Sequence, residues 1–412
     1  MSGGAGSAIR PPSPGPRVLD EVVDTRRHLH AHPELSFQEA QTSRLVRERL
    51  AEVGLEVRPC PTETGAVAVL DTGRPGRTVL LRADIDALPI VEDSGVSFPS
   101  RDEGRMHACG HDAHTAILLG AARTLAGEAE GLAGRFAFVF QPAEEIVSGA
   151  REMIAGGLLT SLGADVALGL HTWAPGPSGT ITARPGLAWA GSDAFEAEFR
   201  GPGGHGGTMG RRGNVISAQA FLLERLATIV EGLEHEQTPC HATAGQVVTD
   251  GAWNIVPRAA VVRGSVRTFT ADLRREALGR LRKLLVEAGT EFEVDTELRL
   301  VHGTVPLVNH PGVAEVLLEE GRRLVGDRCV RAGRPLTVSD DMAEILTRIP
   351  GCYFMLGCRP PDLAQGPSHH SPGFRIDEAA LGLGVRLMAA AAARLAGDET
   401  VQITGAGRPA AG

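Results

Sequence analysis

Two rhythms of hydrophobic periodicity run along this chain of 412 residues, and the change between them bounds its architecture. From residue 17 to 186, short apolar runs alternate with segments of helical periodicity. Helices are expected at 17–31, 37–53, 113–126 and 147–158, and strands at 66–70, 78–82, 135–140 and 165–170. That alternation reads as an α/β fold, a mixed, mostly parallel sheet flanked by helices. The second helix is expected to open on a capping box, Ser36 with Glu39 three residues on, and to stop at Gly54. Between 187 and 303 the order becomes β-α-β-β-α-β, with strands at 192–200, 241–249, 259–268 and 291–300 and helices at 214–231 and 271–288. This is the order of a ferredoxin-like unit, which can fold by itself, and it reads as an inserted domain. The first rhythm resumes near 304, with helices at 311–325, 340–348 and 376–396. The other domain is therefore discontinuous, 17–186 and 304–397.

Composition narrows the setting. The length suits two domains better than one core. Aromatic residues make up only 4%, with Tyr353 the single tyrosine, so Val, Leu, Ile and Ala must build the interior. A net charge of −9 offers no basic surface for nucleic acid or anionic lipid. Six scattered cysteines without a CxxC pair fit a reducing, cytoplasmic setting with buried thiols. Residues 1–16 and 398–412, rich in Gly, Pro and Ala, read as a disordered lead-in and tail; the first has no apolar signal region. No apolar run is expected to approach the ~20 residues of a membrane span.

Five clusters carry metal-ligand chemistry. His107-Ala108-Cys109-Gly110-His111-Asp112-Ala113-His114 packs one thiol and three imidazoles into eight positions. Gly110 removes a side chain where two donors must close on one cation, and thiolate with imidazole suits zinc and its neighbours. Gln141-Pro142-Ala143-Glu144-Glu145 follows a strand; on an extended segment its two carboxylates would face opposite sides, one toward metal and one toward substrate. His171 closes an apolar strand, where α/β sites gather. His369-His370-Ser371-Pro372 presents a His pair on a stiffened turn, and Asp84 and Asp86, two apart, share one face at another strand end. Each cluster alone has an ordinary structural reading. Together they supply donors for two metals, all at element boundaries outside the insertion.

These residues resemble a known family: the co-catalytic metal amidohydrolases and peptidases that include aminoacylases, hippurate hydrolases and indole-acetyl-amino acid (auxin-conjugate) hydrolases. The resemblance rests on RRHLHAHPELSFQE (26–39), LRADIDALPI (81–90), MHACGHDAHTAILLGAA (106–122), FVFQPAEE (138–145), GLH (169–171), GPGGHGG (201–207), NIVPRAAVVRGSVRTF (254–269) and HHSPGFRIDE (369–378), in family order. It implies two divalent metal ions per subunit, Zn, Mn, Co or Ni, held by Cys109, His111, Glu145, His171 and His370. It implies Glu144 as the general base that takes a proton from the attacking water and passes it to the leaving amine. Asp86 would orient the metal site, and His205 would steady the substrate and its oxyanion. Asn254 and Arg267 would meet the substrate carboxylate. The metal-binding domain would then be catalytic and the inserted domain a lid and dimerisation module, giving a possible homodimer. The implied reaction is hydrolysis of N-acyl amino acids or similar small conjugates. A dipeptidase or carboxypeptidase is the alternative, and a ligand-binding paralogue without activity is disfavoured because every ligand and Glu144 are present.

The chain departs from the family in two places. Thr208-Met209-Gly210 stands where a Pro-His pair is usual, with Asn214 where Asp is common. Ser339-Asp340-Asp341-Met342 stands where Glu-Asp-Phe is usual. Both are expected near the substrate.

Overall fold

The structure is a computed structural model that describes residues 11–233, 235 and 237–403. The expected disorder of 1–10 and 404–412 falls outside the described residues; within 11–15 the chain is irregular, with Pro12 buried, and 398–403, expected to be disordered, is instead held by Arg77, which donates to Asp398 O at 2.7 Å and Val401 O at 2.9 Å. The chain divides into two compact units, Met1–Gly186 with Val308–Gly333 and Asp341–Gly412, and Leu187–Leu307 with Arg334–Asp340.

The first unit is built on an eight-stranded sheet. Its strands lie in the order Glu56–Arg58, Ala66–Asp71, Arg135–Gln141, Thr78–Asp84, Val166–Pro177, Gly351–Arg359, Ile181–Ala183, Cys329–Arg331. The four central strands, Arg135–Gln141 to Gly351–Arg359, run parallel, and antiparallel pairings lie outside them. Parallel strands buried on both faces carry continuous apolar runs, and Thr78–Asp84 is buried at every position. The Gly351–Arg359 strand escapes the sequence reading for that reason: it is an unbroken buried run without the polar alternation that marks a strand.

Helices Pro16–Ala31, His111–Gly127 and Leu381–Gly397 pack on one another. Gly120 lets them meet, since a Cβ there would lie 2.5 Å from Val22 Cγ2 and 2.9 Å from Val385 Cγ2. Contrary to expectation, one stretch, Glu378–Gly397, is 20 residues long and apolar enough to cross a membrane, but 78% of its apolar window is buried inside the protein as core.

The second helix also differs from expectation. It starts at Ala40, after Phe37 with φ 60, and no capping box forms. Ser36 Oγ instead donates to Asp86 Oδ2 at 2.7 Å, while Glu39 accepts from Thr64 Oγ1 at 2.8 Å and the Ala143 N–H at 2.9 Å. Tertiary partners outcompete the local cap.

In the second unit, an antiparallel sheet runs in the order His241–Thr249, Ala259–Thr268, Gly191–Arg200, Asp295–Thr304. Helices Val215–Arg225 and Ala271–Phe292 pack on it. Gly191–Arg200 alternates buried and half-buried residues, placing Phe195 and Phe199 in the core. The last helix runs to Phe292 and ends on Glu293 at φ 55, so the final strand starts at Asp295, later than its apolar pattern implies. A separate strand pair joins Gly204–His205 to Ile255–Val256.

One buried cation underlies the first sheet. Arg82 donates to Gln141 Oε1 at 2.9 Å, Asp84 Oδ2 at 2.8 Å and Asp341 Oδ1 at 2.8 Å, all three side chains buried. Removing one partner from such a set leaves uncompensated buried charge. Arg82→Met is expected to lose about 3–5 kcal/mol in urea denaturation, with no change in the position of the Trp emission of the folded state.

Candidate active site

The carboxyl ends of parallel strands are where an α/β sheet leaves room for chemistry. Asp84 ends one central strand and Gln141 ends the next. His171 lies in the middle of Val166–Pro177 rather than at its end, because that strand continues past the sheet's usual edge. Gly110, at φ 89, starts the helix that carries His111; a Cβ there would lie 2.3 Å from Thr172 Oγ1. Only glycine allows this approach.

The five expected ligands come together. Cys109 Sγ lies 3.5 Å from His171 Nε2 and 3.3 Å from His370 Nε2. His370 Nε2 is 3.3 Å from Glu145 Oε2, and His111 Nε2 is 3.7 Å from Glu145 Oε1. Two triads have donor atoms within 4.8 Å of one another: Cys109, His111 and His171, and Cys109, Glu145 and His370. Cys109 belongs to both. Glu144 joins His111 and Glu145 in a third group, its Oε2 4.0 Å from His111 Nε2.

The two glutamates do not sit on an extended segment. Residues 142–148 form a tight turn with Ala143 at φ 54 and Val147 at φ 57, and the Val147 N–H donates to Glu144 O at 2.7 Å. His370, at φ 60, is also left-handed. Non-glycine residues held there cost about 1–3 kcal/mol each and persist only when their surroundings overdetermine them.

Asp86 supplies much of that constraint. Its Oδ1 accepts the Glu144 N–H at 3.1 Å and faces His111 Nδ1 at 3.2 Å; its Oδ2 accepts the Glu145 N–H at 3.0 Å and Ser36 Oγ–H at 2.7 Å. Burial opposes ionisation of Asp86, but these donors, His111 first, hold its carboxyl below the usual range. Asp84 plays a parallel part. The Thr172 N–H donates to His114 Nε2 at 2.8 Å, so the His114 proton is on Nδ1, which points at Asp84 Oδ1 at 2.5 Å.

The donor set fits divalent cations. His111 Nε2 and Glu145 Oε1 are buried and lack any hydrogen-bond partner. Burial, with the Glu145 carboxylate beside it, pushes the Cys109 thiol well above its ordinary value. Burial likewise raises Glu145. Bound cations would satisfy the orphaned atoms and reverse both shifts.

The remaining expected residues lie in the second unit. His205 is exposed on its strand, opposite Ile255, and Asn254, in the turn before the Ile255–Val256 strand, accepts the Gly206 N–H through its backbone O at 2.9 Å. Arg267 NH1 donates to Thr337 O at 2.9 Å and Ser339 Oγ at 3.1 Å. Burial lowers its pKa, and no carboxylate pairs with it among the described residues.

Two residues of the departing segments have structural roles. Asn214 caps the Val215–Arg225 helix, accepting from the Ile216 and Ser217 N–H groups, a role Asp fills equally well. Asp341 is fully buried and accepts from Arg82, Gln141 Nε2 and the Ala150 N–H. Ser339, in the second departing segment, accepts from Arg267 instead. Sequence reasoning assigned no role to Arg82, Gln141 or Thr172; their signal, polar types inside apolar strand runs, is visible only once the strands are placed.

The Cys/His/Glu cluster, set beside the central parallel strands, has the donor types of a metal-dependent hydrolase. The profile of peptidase family M20/M25/M40 matches residues 80–394, and the chain belongs to that family, whose members hydrolyse amide bonds. It is similar to an N-acyl-L-amino acid amidohydrolase of Geobacillus stearothermophilus, 37% identical over 323 residues, 77% of this chain and 85% of that one. It is also similar to thermostable carboxypeptidase 2 of Saccharolobus solfataricus, 33% identical over 375 residues, 89% of this chain and 93% of the other. Among solved structures, a dinuclear metal-binding peptidase of the M20 family from Bacillus subtilis superposes with a TM-score of 0.76 at 29% identity, covering 92% of this chain and 98% of that one.

Asp86→Asn keeps the shape of the carboxylate but places an amide donor against N–H groups. We expect metal affinity to fall about 10–100-fold, as for partners that orient ligands elsewhere, read by competition with a chromophoric chelator. Unchanged affinity would remove Asp86 from the role of organiser.

Proposed function

We propose that this chain is a two-metal amidohydrolase that cleaves the amide bond of N-acyl amino acids or similar small conjugates. The observation that carries the reading is the convergence of Cys109, His111, Glu145, His171 and His370, with the Glu144 carboxylate beside them. These five residues would hold the metals, with Zn, Mn, Co and Ni all compatible with such donors. When bound, the pair polarises the scissile carbonyl and lowers the pKa of water.

The chain's own residues do the rest. Glu144, pinned through its N–H to Asp86, takes the proton of the attacking water and returns it to the leaving amine. His205, on its strand, and Asn254, in the turn before the facing strand, are read as contacts to the oxyanion and the substrate carboxylate, and Arg267 as a carboxylate partner, supported by the lack of a paired carboxylate among the described residues. The second unit, with its β-α-β-β-α-β order and 4-1-3-2 strand arrangement, is read as a ferredoxin-like lid and dimerisation domain. Exposed Val247 and Val248 on its edge strand support a homodimer. The free, mostly buried cysteines support a cytoplasmic setting. The similarity to a carboxypeptidase supports the second reading, cleavage of small peptides.

A panel of N-acetyl, N-benzoyl and longer N-acyl amino acids with dipeptides, offered to protein reloaded with Zn, Mn or Co, tests both. Turnover of acyl amino acids, abolished by a chelator and lowered about 10²–10⁴-fold in Glu144→Gln, is expected. Turnover of dipeptides alone would transfer the assignment to a peptidase. Full activity in Glu144→Gln would remove its role as base.

A further inference from the structure

His369, adjacent to the expected ligand His370, is absorbed by none of the roles above. Its ring is nonetheless fixed against the metal-ligand cluster. The Ala174 N–H donates to His369 Nε2 at 3.3 Å. A ring nitrogen that accepts carries no proton, so in the neutral ring the proton is on Nδ1. That atom faces Cys109 Sγ at 3.9 Å, with the Cys109 backbone carbonyl beside it as a second acceptor.

The ring has little freedom to turn away. It stacks on Trp173, with centroids 5.2 Å apart and planes at 23°, and meets Phe374 at 4.9 Å and the His171 ring at 5.2 Å. The backbone is held as firmly. A Cβ on Gly366 would lie 1.8 Å from Ala174 O, so the segment leading to the His pair rests directly on the strand extension. One residue on, the His370 N–H donates to Ala108 O at 2.9 Å with φ 60. Two consecutive imidazoles therefore reach one sulfur. His370 offers Nε2 at 3.3 Å, beside Glu145; His369 offers a protonated nitrogen, which cannot ligate a cation.

We propose that His369 is a positioning residue for the Cys109 thiolate, delivering one fixed N–H to the sulfur and so setting its orientation and electron density toward the metals. The proposal rests on the metal-centre reading above. An N–H aimed at a thiolate stabilises the sulfur lone pairs and tunes the bond the sulfur makes to a cation.

The test uses full-length protein loaded with cobalt(II), whose thiolate-to-cobalt charge-transfer band reports on the sulfur directly. His369→Phe keeps an aromatic ring for the Trp173 stack and deletes the donor. His369→Asn places an amide N–H near the position of Nδ1. In His369→Phe the band is expected to move to lower energy and the cobalt affinity to fall about 10–100-fold; His369→Asn is expected to restore most of both. The thermal transition of each apoprotein separates these effects from unfolding, and His369→Met replaces His369→Phe if the latter does not fold. An unmoved band in the donor-less variant, or an Asn variant that behaves like Phe, would overturn the proposal and reduce His369 to packing. A wild-type protein without any thiolate band would instead sink the metal-centre reading, and this proposal with it.

Discussion

The buried carboxylate of Asp86 ties three other parts of the chain into one site. It accepts from the loop at Ser36, from the turn at Glu144 and Glu145, and faces the helix start at His111. Those segments are distant in sequence, and the Glu-Glu turn contains two left-handed non-glycine residues that need such partners to persist. With Asp86 in place, two candidate ligands, the candidate base and the loop before the second helix share one pair of oxygens. The other ligands then close on the same point from the sheet and from the His369-His370 turn.

Charge balance explains why this arrangement calls for cations. Elsewhere in the same unit, buried acids meet guanidinium groups: Arg82 contacts Asp84 and Asp341, and Arg26 contacts Asp112 at 2.9 Å. Around Cys109, Glu144 and Glu145 the neighbours are histidine rings, which serve as cation donors only when neutral. Several structural acids are thus neutralised by buried guanidinium groups, while Cys109 and Glu145 lie among histidine rings where the chemistry is expected. The peptide strain at Ala143, Val147 and His370 falls in this same place, consistent with a site shaped for function at some cost in backbone energy.

Much of this was legible in the sequence, for definite reasons. Cys109-Gly110-His111 and the two glutamates are dense in donor types, and Gly110 proved to be required by the approach of Thr172. The alternation of strands and helices predicted the mainly parallel sheet. What escaped was whatever depends on non-local partners. Ser36 and Glu39 spell a capping box, yet each bonds across the unit instead. The Gly351–Arg359 strand is buried on both faces and so lacks alternation. Within the two departing segments, the cap formed by Asn214 and the bond of Asp341 to Arg82 also depend on partners that no local pattern shows. The role proposed for His369 rests on a backbone N–H from Ala174, which no local pattern announces.

The central claim is that the five converging side chains form a two-ion centre. Metal content per chain, measured by plasma mass spectrometry on protein dialysed against limiting zinc, tests it most directly when wild type is compared with Cys109→Ser. Cys109 belongs to both triads, so wild type is expected to retain two ions per chain and the variant to lose affinity for both. Retention of a single ion by wild type, or loss of only one by the variant, would contradict a paired site organised around that sulfur.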